Sequence, residues 1–205
     1  FQSSDQVAFG PISYPDYLDL VEGGEGRFEV AGVENTQFAA SARHETLTEV
    51  VFGQAVTGSF FPLLEVEMSL GRGLSPEDDL PGSEPAVVIS REYWERRYGS
   101  DPDVLGRTLF LNNNPYTIVG VMPPDFRESL RRDAPFWVPL VLDPEGLGGG
   151  TNVWARLKQG ITLTQARADM SMLEDRLIQE HPGLAGRTVT VTSFLDEELG
   201  NDRTL

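Results

Sequence analysis

The sequence predicts a mixed α+β fold in two lobes, and three observations carry that expectation. Segments rich in β-branched and aromatic residues alternate with capped, amphipathic helical stretches, the pattern of strands and helices packed together rather than of an all-α or all-β chain. Near the C-terminus a strand, a long helix and a second strand follow one another between residues 152 and 194. Two polar or glycine-rich stretches, 71–84 and 146–150, bracket the middle of the chain. The chain ends are therefore expected to build one discontinuous lobe, 1–66 with 151–205, and residues 67–150 to form an inserted one.

From the N-terminus, residues 13–22 read as a short helix: Ser13 and Asp16 stand at capping-box spacing, Pro15 suits the first turn, and Tyr14, Tyr17, Leu18 and Val21 share a face. Gly23 and Gly24 end it. Three strands are expected at 27–33, 37–42 and 46–57, an antiparallel meander turning at Glu34 and Asn35. Ser59 can cap a brief helix whose Phe60, Phe61, Leu63 and Leu64 would plug the end of that sheet. The composition shifts near Met68, and 71–84 reads as a surface loop that opens the second lobe.

Residues 86–89 form a short apolar strand, after which Ser90 caps a helix with Glu92 in its first turn, Arg96 and Arg97 in its last and Gly99 beyond it. That is the charge order the helix dipole favours. Tyr93, Trp94 and Tyr98 supply its buried side, and Asp101 with Pro102 starts a further turn that Gly106 ends. A hairpin is predicted from 107–111 and 116–121 around Asn112, Asn113 and Asn114, residues that tolerate left-handed backbone angles. Residues 136–142 read as a strand at a sheet edge, because Pro139 interrupts it.

The glycines at 146, 148, 149 and 150 mark the return to the first lobe. Beyond them a strand at 152–158, a helix at 163–181 and a strand at 188–194 form a β-α-β unit. Thr162 and Gln165 make a capping box, Leu163, Ala166, Met170, Leu173 and Leu177 repeat at three and four, and Pro182 with Gly183 stops the helix. The flanking strands can then lie parallel through a right-handed crossover.

Composition narrows the function. The 205 residues, 40% of them hydrophobic, suffice for one large domain or two small ones, burying roughly 70% of the unfolded surface. Thirty-two acidic against sixteen basic residues give a formal charge of −16, which repels phosphate backbones and anionic headgroups, so no nucleic-acid partner is expected. No segment approaches the roughly 20 apolar residues that cross a bilayer, and a soluble chain is expected. The start FQSSDQVAFG lacks the basic and apolar regions of a secretory signal, so a targeting element is absent or removed. The absence of cysteine excludes disulfides and thiolate chemistry and leaves the compartment open.

The search for reactive constellations nominates no catalytic, cofactor or metal residue. His44 lacks a second histidine four positions on, where Thr48 stands, so it is no zinc-protease motif and reads as a strand-surface residue. His181 ends the long helix, where it suits the last carbonyls. There is no G-x-S-x-G elbow, and no lysine follows the glycines at 146–150 to make a phosphate loop. Glu77, Asp78, Asp79 and Glu84 miss calcium-loop spacing, and Asp78 reads as starting or capping a turn. A glycosidase needs two carboxylates about 5 to 10 Å apart, which sequence does not locate. Trp94, Trp137 and Trp154 offer either core packing or an aromatic platform, the basis of an alternative reading as a secreted carbohydrate- or peptide-binding module.

Several blocks together carry a resemblance: GRGLSPEDD at 71–79, VISREYWERRYGSDPDVLGRTLFLNN at 88–113 and YTIVGVMPPDF at 116–126, with PISYPDYLDL at 11–20 and WARLKQGITLTQARADM at 154–170. In this order the chain resembles the periplasmic core domain of MacB-type ABC transporter permeases, most closely the acidobacterial-type duplicated permeases. The resemblance implies a porter-like lobe built from both chain ends and an inserted sabre-like lobe, placed between two transmembrane helices on the periplasmic side of the inner membrane. It further implies a non-enzymatic domain with no cofactor of its own, ATP being used by a separate cytoplasmic ATPase. The implied partners are its own membrane helices, that ATPase and a periplasmic adaptor or cargo, in a dimeric efflux-type transporter. The implied mechanism is mechanotransmission, in which residues near Pro11 and Leu199 approach one another above one membrane patch.

Overall fold

The computed structural model describes residues 6–12, 14–24, 26–42, 49–124, 126, 134–140, 151–180 and 191–193. In chain order the elements are β1 (Gln6–Ile12), α1 (Tyr14–Gly23), β2 (Phe28–Ala42), β3 (Glu49–Val56), α2 (Phe60–Leu64), β4 (Leu70–Gly71), the 3-10 turn η1 (Pro76–Asp79), β5 (Ala86–Ile89), α3 (Arg91–Tyr98), the 3-10 turn η2 (Pro102–Val104), β6 (Thr108–Leu111), β7 (Asn114–Val121), β8 (Phe136–Pro139), β9 (Thr151–Leu157), α4 (Leu163–Glu180) and β10 (Val191–Ser193). The chain divides into two compact units, residues 1–32 with 142–205 and residues 33–141.

In the first unit β1 lies between β9 and β10. It pairs antiparallel with β9, from Gln6 opposite Arg156 to Ile12 opposite Thr151, and antiparallel with β10, with Val7 opposite Ser193 and Phe9 opposite Val191. Sharing an antiparallel neighbour, β9 and β10 run parallel to each other as expected, with β1 inserted between them. The β1 register shifts by one residue between Phe9 and Ile12. Pro11 falls in that shift, where its missing N–H interrupts the ladder least.

The core of this unit joins Tyr17 and Leu20 of α1 to Phe28 and Val30 of β2, to Val153, Ala155 and Leu157 on one face of β9, and to Ala166 of α4. The α4 start is closed by its capping box: the Thr162 amide and hydroxyl donate to Gln165 Oε1 at 2.8 and 2.9 Å, and the Gln165 amide donates to Thr162 Oγ1 at 3.2 Å. Arg27, just before β2, donates to Asp169 on α4 at 2.6 Å.

The second unit closes on itself. β2 pairs with β3, from Val33 opposite Val56 to Ala40 opposite Glu49; β3 pairs in parallel with β8, β8 antiparallel with β5, β5 parallel with β7, β7 antiparallel with β6, and β6 antiparallel with Ala40–Ala42 of β2. One cluster draws on the strands of this ring: Phe38 and Ala40, Val87 and Ile89, Leu109 and Leu111, Ile118 and Val121, Phe136 and Val138, with Val51 and Ala55 of β3 partly buried against it. The spacing of two within most of these pairs is the strand period turned to one face. Tyr93 and Trp94 of α3 and Val104 of η2 complete the cluster. Phe136 is fully buried and meets the edges of Phe38 at 5.6 Å and Tyr93 at 5.5 Å between ring centroids.

Local signals place the connecting elements of this unit. Ser90 Oγ accepts the Tyr93 amide at 3.0 Å, and Gly99 ends α3 at φ 59°. Asn112 and Asn113, at φ 51° and 66°, make the tight turn between β6 and β7, the two left-handed positions that a two-residue hairpin of this hand requires.

The structure corrects four expectations. The meander strands 27–33 and 37–42 are one fifteen-residue strand, β2: Glu34 and Asn35 do not turn but stand opposite Ala55 and Gln54 in the ladder. β8 is not an edge strand, since β3 and β5 flank it; Pro139 is its last residue, and the next amide, Leu140, donates to the Val56 carbonyl at 2.8 Å. Among the described side chains of α1, Tyr17 and Leu20 are buried, and Leu18 and Val21 are exposed by 44% and 39%. Ser59 precedes α2 in helical conformation without a side-chain cap, its hydroxyl lying 2.9 Å from that of Thr57.

β1 itself was not anticipated. The expected boundary at residues 66 and 67 falls within the compact unit 33–141, where β3 is a strand of the ring and α2 covers part of its outer face. Ser13, the glycines at 146–150 and the helix end at 181–183 lie outside the described residues, as do the side chains of Tyr14, Met170, Leu173 and Leu177.

Phe136→Ala is expected to cost about 3–5 kcal/mol by empty space left in the ring, whereas Asn113→Gly, which meets its positive φ without a Cβ, shifts stability by no more than about 0.5 kcal/mol. Urea denaturation of the two variants against the parent checks both.

Candidate functional site

The three tryptophans, the residues most able to make a ligand platform, are core residues. Trp94, Trp137 and Trp154 are 8%, 3% and 2% exposed. Trp94 Nε1 donates to the Asp101 carbonyl at 2.8 Å, holding the end of α3 against η2. Trp137 Nε1 donates at 2.7 Å to Oε1 of the fully buried Gln54, whose Nε2 donates to Asn35 Oδ1 at 3.2 Å. Trp137 lies on the face of β8 opposite Phe136 and Val138 and meets the edges of Phe61 at 6.3 Å and Phe126 at 5.8 Å. α2 is thus a cover on that face, burying Phe60, Phe61, Leu63 and Leu64. Burial of these rings removes the surface basis of the sugar- or peptide-binding alternative.

The acidic stretch is a folded clamp rather than an open cluster. Asp78 takes two hydrogen bonds from the Arg72 guanidinium at 2.6 and 2.9 Å, and its Oδ2 also accepts the Ser75 amide at 2.8 Å and the Ser75 hydroxyl at 3.2 Å. Burial pushes the Asp78 carboxyl upward, but the bonds from Arg72 and Ser75 together outweigh it and hold its pKa below the ordinary aspartate value. Asp79 Oδ2 accepts the Gly58 amide at 2.7 Å, tying η1 to the end of β3. A Cβ on Gly58 would stand 2.1 Å from the Ser75 carbonyl oxygen, so only glycine permits this approach. The expectation that Asp78 caps a turn is met: Ser75 and Asp78 form a capping box on η1.

The arginines of α3 serve the same fold. Arg96 reaches Glu49 at 3.1 Å and lies over the Tyr93 ring, 5.7 Å from its centroid; Arg91 pairs with Glu95 at 2.7 Å and lies over Trp94. Arg107 pairs with Asp101 beside η2. Burial raises the Tyr93 phenol far above its ordinary pKa, so it stays neutral. No group of three or more metal-ligating side chains gathers among the described residues, and His44 and His181 lie outside them. Nor is any helix among the described residues long and apolar enough to cross a membrane.

The remaining feature with functional meaning is the edge where β1 begins and β10 ends. Val7 stands opposite Ser193, so the chain enters and leaves the described part of the first unit side by side. Sequence reasoning missed β1 as a strand; the alternation of Val7 and Phe9 was its one signal, obscured by Gly10 and Pro11.

Residues 2–173 match the family model described as the MacB-like periplasmic core domain. The chain belongs to that family. Among solved structures it is similar to the periplasmic region of MacB from Actinobacillus actinomycetemcomitans, with a TM-score of 0.69 at 14% identity over 98% of this chain and 94% of that one. It is also similar to the extracellular domain of the ABC-type transporter YknZ from Gram-positive bacteria, with a TM-score of 0.68 at 15% identity over 91% of this chain and 99% of that one. A domain of a protein described as a permease from Porphyromonas gingivalis follows with 0.62 at 16% identity, over 92% and 87% of the two chains. At these identities the structures establish a shared α+β fold. No curated protein matches the chain significantly. This MacB-like domain thus shares the MacB periplasmic fold across nearly its whole length, and among the described residues its tryptophans and the Asp78 and Asp79 carboxylates are committed to its own packing.

Trp137→Phe, which removes the indole donor to Gln54 Oε1, is expected to destabilise the domain by about 1–2 kcal/mol, read as a lowered midpoint in chemical denaturation. Asp78→Asn is expected to cost about 1 kcal/mol at neutral pH, the lower end for a charge-assisted bond because Arg72 is half exposed. The sign follows from the lowered pKa: the contribution of Asp78 is present above the unfolded value of about 3.9 and fades as pH falls through the lower folded value. Stability curves of parent and Asp78→Asn therefore converge below about pH 4, and a gap that stays constant down to pH 2 rejects the assignment.

Proposed function

We propose that this domain is the extracytoplasmic part of an ABC transporter permease and that it transmits ATP-driven movement of membrane helices to cargo or partner proteins outside the membrane, without chemistry of its own. The single observation that carries the reading is the family match over residues 2–173. The pairing of Val7 with Ser193 supports it, because the start of β1 and the end of β10 lie side by side, as a domain held by two neighbouring membrane helices would require. The closed strand ring and the capped helices support it as well, since a part that conveys motion must resist deformation under load. The distribution of polar groups points the same way: Asp78, Asp79, Gln54 and Arg96 hold the fold together rather than converging on a vacant reaction centre.

On this reading the first unit is the porter-like, membrane-proximal lobe and the second the sabre-like lobe. ATP is bound and hydrolysed by a separate cytoplasmic subunit or domain, the working transporter is a dimer, and cargo or an adaptor is met on the periplasmic side. A formal charge of −16 suits an aqueous compartment.

Two measurements on the full-length permease, labelling in cells and distances in the purified transporter, test the proposal. The domain has no native cysteine, so Glu92→Cys on the exposed side of α3 gives a single reporter within it. Labelling by a membrane-impermeant maleimide without lysis of the inner membrane is expected, and labelling only after lysis sinks the location. Spin labels at the same position are expected to change their distance between the two copies of the dimer when ATP replaces the nucleotide-free state. Unchanged distances during continued ATP hydrolysis and transport remove the mechanical role.

A further inference from the structure

We draw no further inference here: the strongest candidate, the outward face of β3 where Val50 and Phe52 stand 62% and 54% exposed next to the Arg96–Glu49 pair, carries nothing because nothing in the structure shows what covers it.

Discussion

The place of β1 between β9 and β10 is the constraint on which the reading of this domain rests. A strand from the start of the chain bonded on both sides to strands from its end makes the first unit one cooperative body, although it is assembled from distant stretches of sequence. Forming it means closing a loop that contains the whole second unit. The entropic cost of that closure grows only slowly with length, about 0.6 kcal/mol for each doubling, so the insertion is tolerated provided the ladder and core return more than that. They have the means: β1 and β9 pair along their length with a single register shift, and α1, β2, β9 and α4 bury one apolar cluster. The antiparallel sense of the β1–β10 pair then decides the geometry of the ends, since only antiparallel neighbours bring the entry of one strand to the exit of the other.

The second unit solves a different problem. Six short strands would present exposed edges if they formed an open sheet, and exposed edges invite pairing with other chains. Closure is achieved by β6, which pairs with β7 on one side and with the end of β2 on the other. Small interiors of this kind are filled by side chains, and here Phe136 is central, touching Phe38 from β2 and Tyr93 from α3. The part of the β3–β8 face turned away from that cluster that carries the Gln54–Trp137 bond is roofed by α2. η1 then fixes the approach to α2 through Asp79 and Gly58. Asp78, Asp79 and the Trp137 indole, which a sequence search offers as chemistry, therefore act as fasteners.

What was legible in the sequence was local. Ser90 and Gly99, Thr162 and Gln165, and the paired asparagines of the hairpin encode their structures within a few residues, through backbone groups that need a partner or an angle that few residues accept. What was not legible depended on partners far along the chain. Asn35 has turn propensity, yet a place opposite Gln54 and the hydrogen bond its side chain accepts from Gln54 Nε2 keep β2 continuous. Pro139 suggests an edge, yet at the end of β8 its missing N–H removes little from a strand flanked on both sides. The tryptophans show the same limit for the site: indole chemistry fits a platform or a core, and only the neighbours of Trp137, chosen by strand pairing, decide for the core. The family resemblance was legible because it rests on the order of many blocks, which no single local propensity can imitate.

Stiffness gives the proposed role its physical content. Within the second unit, sliding one strand of a closed ring past the next breaks ladder bonds at two borders at once and pulls apart a cluster to which all six strands contribute. Moving the ring as a body breaks none of them. A load applied to such an object is therefore taken up first by displacement and only at much higher cost by internal change, because packed cores are bistable rather than continuously deformable. Displacement alone selects nothing; the transported or partnered molecule must contact one position of the ring differently from the other for ATP energy to be spent on it. The contacts that make this distinction belong on outward-facing residues outside the clamps described above, since any residue that also holds the ring closed would trade stiffness for recognition.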